Sequence, residues 1–111
     1  MAARVYTAVE DYDGTGRNEI LFDGIPIPHV PYTESSPDDF TWGYSGAGPT
    51  NVARSILEHA LSIVDSNLNV NPADYQIAFR EQYVSSQDGW WTVDHAEVIE
   101  FVNSRGRENR R

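Results

Sequence analysis

The spacing of apolar positions changes once along the chain, near Pro49. Before it, β-branched and aromatic residues come in short runs broken by turn formers. After it, apolar residues recur every three or four positions. The first half therefore reads as strands and the second as helices.

Arg4-Val-Tyr-Thr-Ala-Val-Glu10 predicts one strand and Glu19-Ile-Leu-Phe-Asp23 a second. Between them, Asp11-Tyr-Asp-Gly-Thr-Gly-Arg-Asn18 is dense in turn formers, which predicts a β-hairpin. Asp23-Gly24 makes another turn. Ile25-Pro-Ile-Pro-His-Val-Pro-Tyr32 lacks a backbone donor at each proline, so it is expected as an extended edge segment and not a central strand. Thr33 to Asp39 is a polar loop. Phe40, Trp42 and Tyr44 are expected to anchor a strand that the glycines of Gly43–Pro49 turn tightly into a helix.

In that helix Val52, Ala53, Ile56, Leu57, Ala60, Leu61 and Val64 form one face. Gly48 is expected as N-cap and Pro49 as first helical residue, with an end near Asp65 to Asn69. Pro72, capped by Asn71, opens a second helix with Tyr75, Ala78, Phe79, Gln82 and Tyr83 on one face. Ser85 to Gly89 is a loop. After Trp90 and Trp91 a third helix is expected from Thr92 or Asp94, where Asp94 and Glu97 have capping-box spacing. Ala96, Ile99 and Val102 are its expected apolar face, with Val98 beside them. The reading is one α+β domain over residues 1–104, a small antiparallel sheet from the N-terminal half packed against three C-terminal helices. Residues 105–111 are expected to be a flexible basic tail.

A chain of 111 residues can bury a core without metals or disulfides. It has no cysteine, which excludes thiolate nucleophiles and Cys-ligated zinc. No apolar run approaches the roughly 20 residues that cross a bilayer. The N-terminal residues lack the apolar stretch of a signal peptide, so a cytoplasmic protein without membrane contact is expected. Charge sharpens this picture. All eight basic residues are arginine, and four lie in the last seven positions; the rest of the chain carries sixteen carboxylates and a net charge of −12. Such a body repels phosphate, so direct nucleic-acid binding is not expected. The acidity suits solubility, a salty cytoplasm, or imitation of a phosphate array for a basic partner.

Phe40-Thr-Trp-Gly-Tyr-Ser-Gly-Ala-Gly-Pro49, followed by a helix with Ala53 and Ile56-Leu57, resembles an uncharacterised prokaryotic and phage domain family of unknown function. The likeness continues in Ala73–Phe79 and in Gly89-Trp-Trp-Thr92, and spans roughly residues 1–103 in order. It supports the fold and implies a mobile-element setting. It implies no activity.

Several patterns bear on chemistry. Three glycines before a helix N-terminus could offer backbone N–H groups to an anion. The spacing is neither a Walker A motif nor a dinucleotide fingerprint, because no Lys-Ser/Thr follows and Pro49 removes a donor. Gly43-Tyr-Ser45-Gly-Ala47 also fails the nucleophile elbow at its last position. Asp11-x-Asp13-Gly-Thr15-Gly16 opens like a calcium loop, but the twelfth position is Phe22 where a glutamate should stand. His29, His59 and His95 are dispersed, so a metal site would need tertiary assembly with Asp38 or Asp39.

No catalytic residue, metal or cofactor is therefore expected. The expected function is a non-enzymatic binding or accessory protein, an acidic modulator or inhibitor of a protein partner. Its candidate surface is Trp42, Tyr44, Ser45, Gly46 and Gly48 with Trp90 and Trp91, one of the last two packing in the core. The alternatives are a structural subunit of a larger assembly, and a hydrolase or nucleotide- or anion-binding protein using Gly43–Pro49.

Overall fold

The computed structural model describes residues 4–64 and 70–108. Four antiparallel strands, β1 (Val5–Val9), β2 (Glu19–Phe22), β3 (Ile25–Pro26) and β4 (Trp91–Asp94), form one sheet in the order β3-β2-β1-β4. Helix α1 spans Ala47–Ser62 and α3 spans His95–Glu108. Between them a single turn, Pro72–Asp74, leads into the short α2 (Gln76–Phe79) and a wider π-helical segment, Arg80–Val84.

The β1–β2 hairpin forms where turn chemistry predicts it, with a turn over Tyr12–Gly14 and left-handed backbone at Asp11, Asp13 and Gly14. The prolines restrict the next segment as expected. Only Ile25 and Pro26 pair with β2, and the chain then leaves the sheet.

The sequence places the start of the last helix at Thr92 or Asp94, and the structure has a fourth strand, β4, there instead. Trp91-Thr-Val-Asp94 alternates buried and exposed positions and pairs with β1, Ala8 opposite Trp91 and Val5 opposite Asp94. The C-terminal half thus supplies one edge of the sheet. The capping box shifts accordingly: the Asp94 N–H donates to Glu97 Oε1 at 3.3 Å, and α3 begins at His95. This start turns His95, Val98, Phe101 and Val102 inward, leaves Ile99 half-buried and exposes Ala96. α3 continues to Glu108, into the expected tail; residues 109–111 lie outside the described residues.

Two further expectations change. Residues 40–44 form no strand; the aromatic alternation buries Phe40 and Trp42 on an irregular segment. α1 starts at Ala47, so Gly46 is the N-cap and Pro49 lies in the first turn, where a missing N–H costs no helical bond. α1 ends at Ser62, and the asparagine-rich stretch expected to stop it falls within 65–69, outside the described residues.

The second helix bends out of α-helical register. The Ser85 N–H reaches the Arg80 carbonyl at 2.8 Å, five residues back. In that wider turn Phe79 and Val84 share a face and are both fully buried, whereas Gln82 is exposed. A 3.6-residue period would not bring positions five apart onto one face.

The core lies between the inner sheet face and the helices. Tyr6, Ala8, Ile20, Trp91 and Val93 meet Val52, Ala53, Ile56 and Leu57 of α1, with Phe79, Val84, Val98 and Phe101 closing the other side. α1 also has a buried polar stripe. Asn51 Nδ2 donates to the Ser36 and Asp39 carbonyls at 2.8 and 2.7 Å, and its Oδ1 accepts from the Tyr32 N–H at 2.9 Å. Ser55 Oγ accepts from the Val30 N–H at 2.8 Å. Two side chains one turn apart thus fasten the proline-rich segment and the following loop to the helix.

Candidate functional site

The glycine-rich segment is held at both ends. Gly43 has φ +95°, which favours glycine, and its N–H donates to the Val84 carbonyl at 3.3 Å. The Trp42 indole N–H donates to the Gly89 carbonyl at 2.8 Å, fixing the segment to the loop before β4. Beyond Gly43 the chain folds under Tyr44. Its hydroxyl bonds Thr41 Oγ1 at 2.8 Å and stands beside Gly48, and its ring lies over Gly46. A Cβ at Gly46 would stand 2.7 Å from the ring, and one at Gly48 would overlap Thr41 Oγ1. These two glycines are needed for space.

Polar side chains surround the start of α1. Thr50 Oγ1 donates to the Gly46 carbonyl at 2.6 Å and accepts from Arg80 Nη1 at 3.1 Å. Arg80 Nε bonds Glu81 Oε2 at 2.9 Å, and the same oxygen accepts from Ser45 Oγ at 2.7 Å. The Ser45 hydrogen bond, then Arg80, hold the Glu81 carboxyl below its usual range. This arrangement suits a structural clasp. A carboxylate of lowered basicity is a weaker base for activating Ser45, and its pairing with Arg80 neutralises the cation that would otherwise draw an anion to the helix start.

The seven sequence-predicted site residues separate into three places. Tyr44, Ser45, Gly46 and Gly48 stand together at the helix start. Trp42 and Trp91 are buried, their rings perpendicular with centroids 5.7 Å apart, and the Trp91 indole N–H has no hydrogen-bond partner among the described residues. Trp90 is elsewhere and 65% exposed.

Trp90 lies at the outer face of the sheet. The helices cover the face bearing Tyr6 and Ala8; Thr7, Val9, Leu21 and Thr92 point the other way. Thr7, Val9, Leu21, Tyr12 and Trp90 line a shallow cleft of about 430 Å³, whose charged lining groups are Asp11 and Asp13. The hairpin turn read as an incomplete calcium loop thus forms the wall of an apolar cleft.

The histidines also divide. His29 lines a separate cleft of about 440 Å³ with Asp38 and Asp39, stacks on Phe40 at 3.7 Å, and bonds Glu19 through Nε2 at 2.8 Å. Among the described residues no three His, Cys, Asp or Glu side chains gather in a metal-binding group. His59 Nδ1 bonds the Tyr6 hydroxyl at 2.8 Å beside Phe22 and His95. Burial, then His95 and Arg4, lower the His59 pKa below 6.5, and burial pushes the Tyr6 hydroxyl well up.

Sequence reasoning missed Arg80, Glu81 and Thr50 as partners of the loop, and the outer-face cleft. The hydroxyl at Thr50, one turn after Gly46, was a visible signal; the Ser45–Glu81 contact spans the fold and left none. The alternation of Trp91-Thr-Val-Asp94 was enough to send Trp90 to the outer face, had it been read as a strand.

Among the described residues no helix is long and apolar enough to cross a membrane. Neither the curated proteins nor the solved structures include a match to this chain. A family profile does match it, over residues 10–104, which takes in the hairpin turn, the glycine-rich segment, β4 and most of α3. The chain belongs to that family, DUF6166, a family of unknown function.

Proposed function

We propose that this domain is a non-enzymatic accessory protein that binds a protein partner through the outer face of its sheet, with Trp90 at the centre of the contact. One observation carries the reading. A tryptophan 65% exposed stands at a cleft lined by Thr7, Val9, Leu21 and Tyr12. Burying such a ring in a partner gains more than burying any other side chain on this face, and tryptophan is over-represented among residues that dominate binding. The glycine-rich segment serves the reading indirectly: by fixing Trp42 to Gly89, it sets the approach of the chain into Trp90 and β4. The acidic body and the resemblance to phage-borne proteins favour a modulator of a basic partner in the cytoplasm.

The test compares the protein with its Trp90→Ala variant as immobilised baits in extract of the native host. A protein retained by the first and lost with the second, the variant unfolding at the same urea concentration, supports the reading. Equal retention by both contradicts it.

A further inference from the structure

β4 is an edge of the sheet, and its register determines which backbone groups face outward. The His95 N–H donates to the Arg4 carbonyl at 2.8 Å, so the Arg4/His95 pair is a hydrogen-bonded one. Counting along the antiparallel register, Tyr6/Val93 and Ala8/Trp91 are hydrogen-bonded pairs, and Val5/Asp94 and Thr7/Thr92 are not. Thr92 and Asp94 therefore turn their N–H and C=O groups away from β1. Asp94 spends its N–H on Glu97, which leaves Thr92 presenting a donor and an acceptor with no partner among the described residues at the open edge. Its side chain is exposed on the same outer face as Trp90.

Charge selects the occupant. The charged groups lining the Trp90 cleft, Asp11 and Asp13, are both acidic, and Asp94 adds an exposed carboxylate at the end of the edge strand. A second copy of this chain would bring like charge against that face, and the chain outside its last seven residues carries a net charge of −12. An arginine side chain instead stacks on an indole face and reaches carboxylates beyond it.

We infer that an extended, basic segment of a partner protein adds as a strand along β4, pairing with the Thr92 backbone and laying an arginine or lysine across Trp90 toward Asp11 and Asp13. This rests on the outer-face reading and adds the conformation and charge of the partner. Strand addition supplies affinity through main-chain bonds and specificity through alternate side chains. A single open residue makes the contact weak, so Trp90 and the carboxylates carry most of the selectivity.

A blocked peptide of alternating arginine and valine is the probe, titrated into isotopically labelled protein. The expected result is binding that weakens with added salt, a shift of the Trp90 indole signal, and slowed exchange of the Thr92 amide. Trp90→Ala, and Asp11→Asn with Asp13→Asn, should each weaken binding about tenfold or more; asparagine tolerates the left-handed backbone at both turn positions. The same peptide with glutamate for arginine, or N-methylated along one edge, should not bind. Absence of binding, equal binding of either control, or an unprotected Thr92 amide in the bound state overturns the inference. So does a concentration-dependent dimer that Trp90→Ala abolishes. If a neutral or acidic protein from the host perturbs Trp90 while the basic peptide does not, the inference falls and the outer-face reading stands. If host protein is retained equally by Trp90→Ala, that reading itself falls.

Discussion

Gly48 provides a test of the loop geometry whose sign differs from the usual expectation. It is the second residue of α1, and replacing a helical glycine by alanine ordinarily stabilises by up to about 1 kcal/mol. Here the added methyl would overlap Thr41 Oγ1 and stand 2.9 Å from the Tyr44 hydroxyl. Relief requires the Thr41–Tyr44 hydrogen bond to open, a loss of about 1 kcal/mol. Pushing the ring from Gly46 adds an overpacking cost of about 1–3 kcal/mol. The overlap outweighs propensity, and Gly48→Ala should destabilise by about 1–3 kcal/mol, lowering the urea midpoint by about 1 M. Thr41→Ala removes the overlapping oxygen. The two substitutions together should therefore destabilise less than the sum of the singles, with a coupling of about 1 kcal/mol. Equal or higher stability of Gly48→Ala, or strict additivity with Thr41→Ala, would refute the packing described for Tyr44 over the helix start.

Three other outcomes follow from the structure. Trp91→Ala should cost about 3–5 kcal/mol in urea unfolding, because it empties a core position against Trp42, while Trp90→Ala should change stability by less than about 0.5 kcal/mol. Asn51→Ala leaves the Tyr32 N–H and the Ser36 and Asp39 carbonyls without their partner, so a loss of about 2–4 kcal/mol and faster hydrogen exchange at the Tyr32 amide are expected. His59 has a folded pKa below its unfolded 6.5, so the unfolded chain takes up the proton first. Its contribution is present above pH 6.5 and lost as pH falls below it, with a slope of at most about 1.4 kcal/mol per pH unit. Urea unfolding from pH 8 to 5 should show this slope flattened in His59→Gln.

Much of the fold was legible because local signals and tertiary demands agree. The Asp- and Gly-rich turn after β1 admits a hairpin, and the apolar stripe of α1 from Val52 to Leu61 faces the core as its period requires, while Val64 lies beyond the end of the helix. The errors arise where a tertiary contact overrode a local signal. Asp94 and Glu97 do form capping geometry, but β1 recruits the four residues before His95 into the sheet, and this rotates the apolar face of α3. Phe79 and Val84 share a face only because the chain adopts a π turn, which a fixed helical period does not anticipate. The candidate site divides in the same way. The crowding around Gly46 and Gly48 follows from neighbours in sequence. The assignment of Trp91 to the core and Trp90 to the outer face depends on a strand pairing more than eighty positions away in the chain.

The claim that the outer sheet face is the working surface is tested most directly by the fluorine spectrum of protein labelled with 5-fluorotryptophan. Its three signals are assigned by single Trp→Phe substitutions and followed in extract of the native host. Trp42 and Trp91, buried against each other, serve as internal references. The account predicts that the Trp90 signal changes its chemical shift on partner binding while the other two keep theirs. A bound partner that leaves Trp90 at its position in the isolated protein, or shifts Trp42 or Trp91 instead, would contradict it.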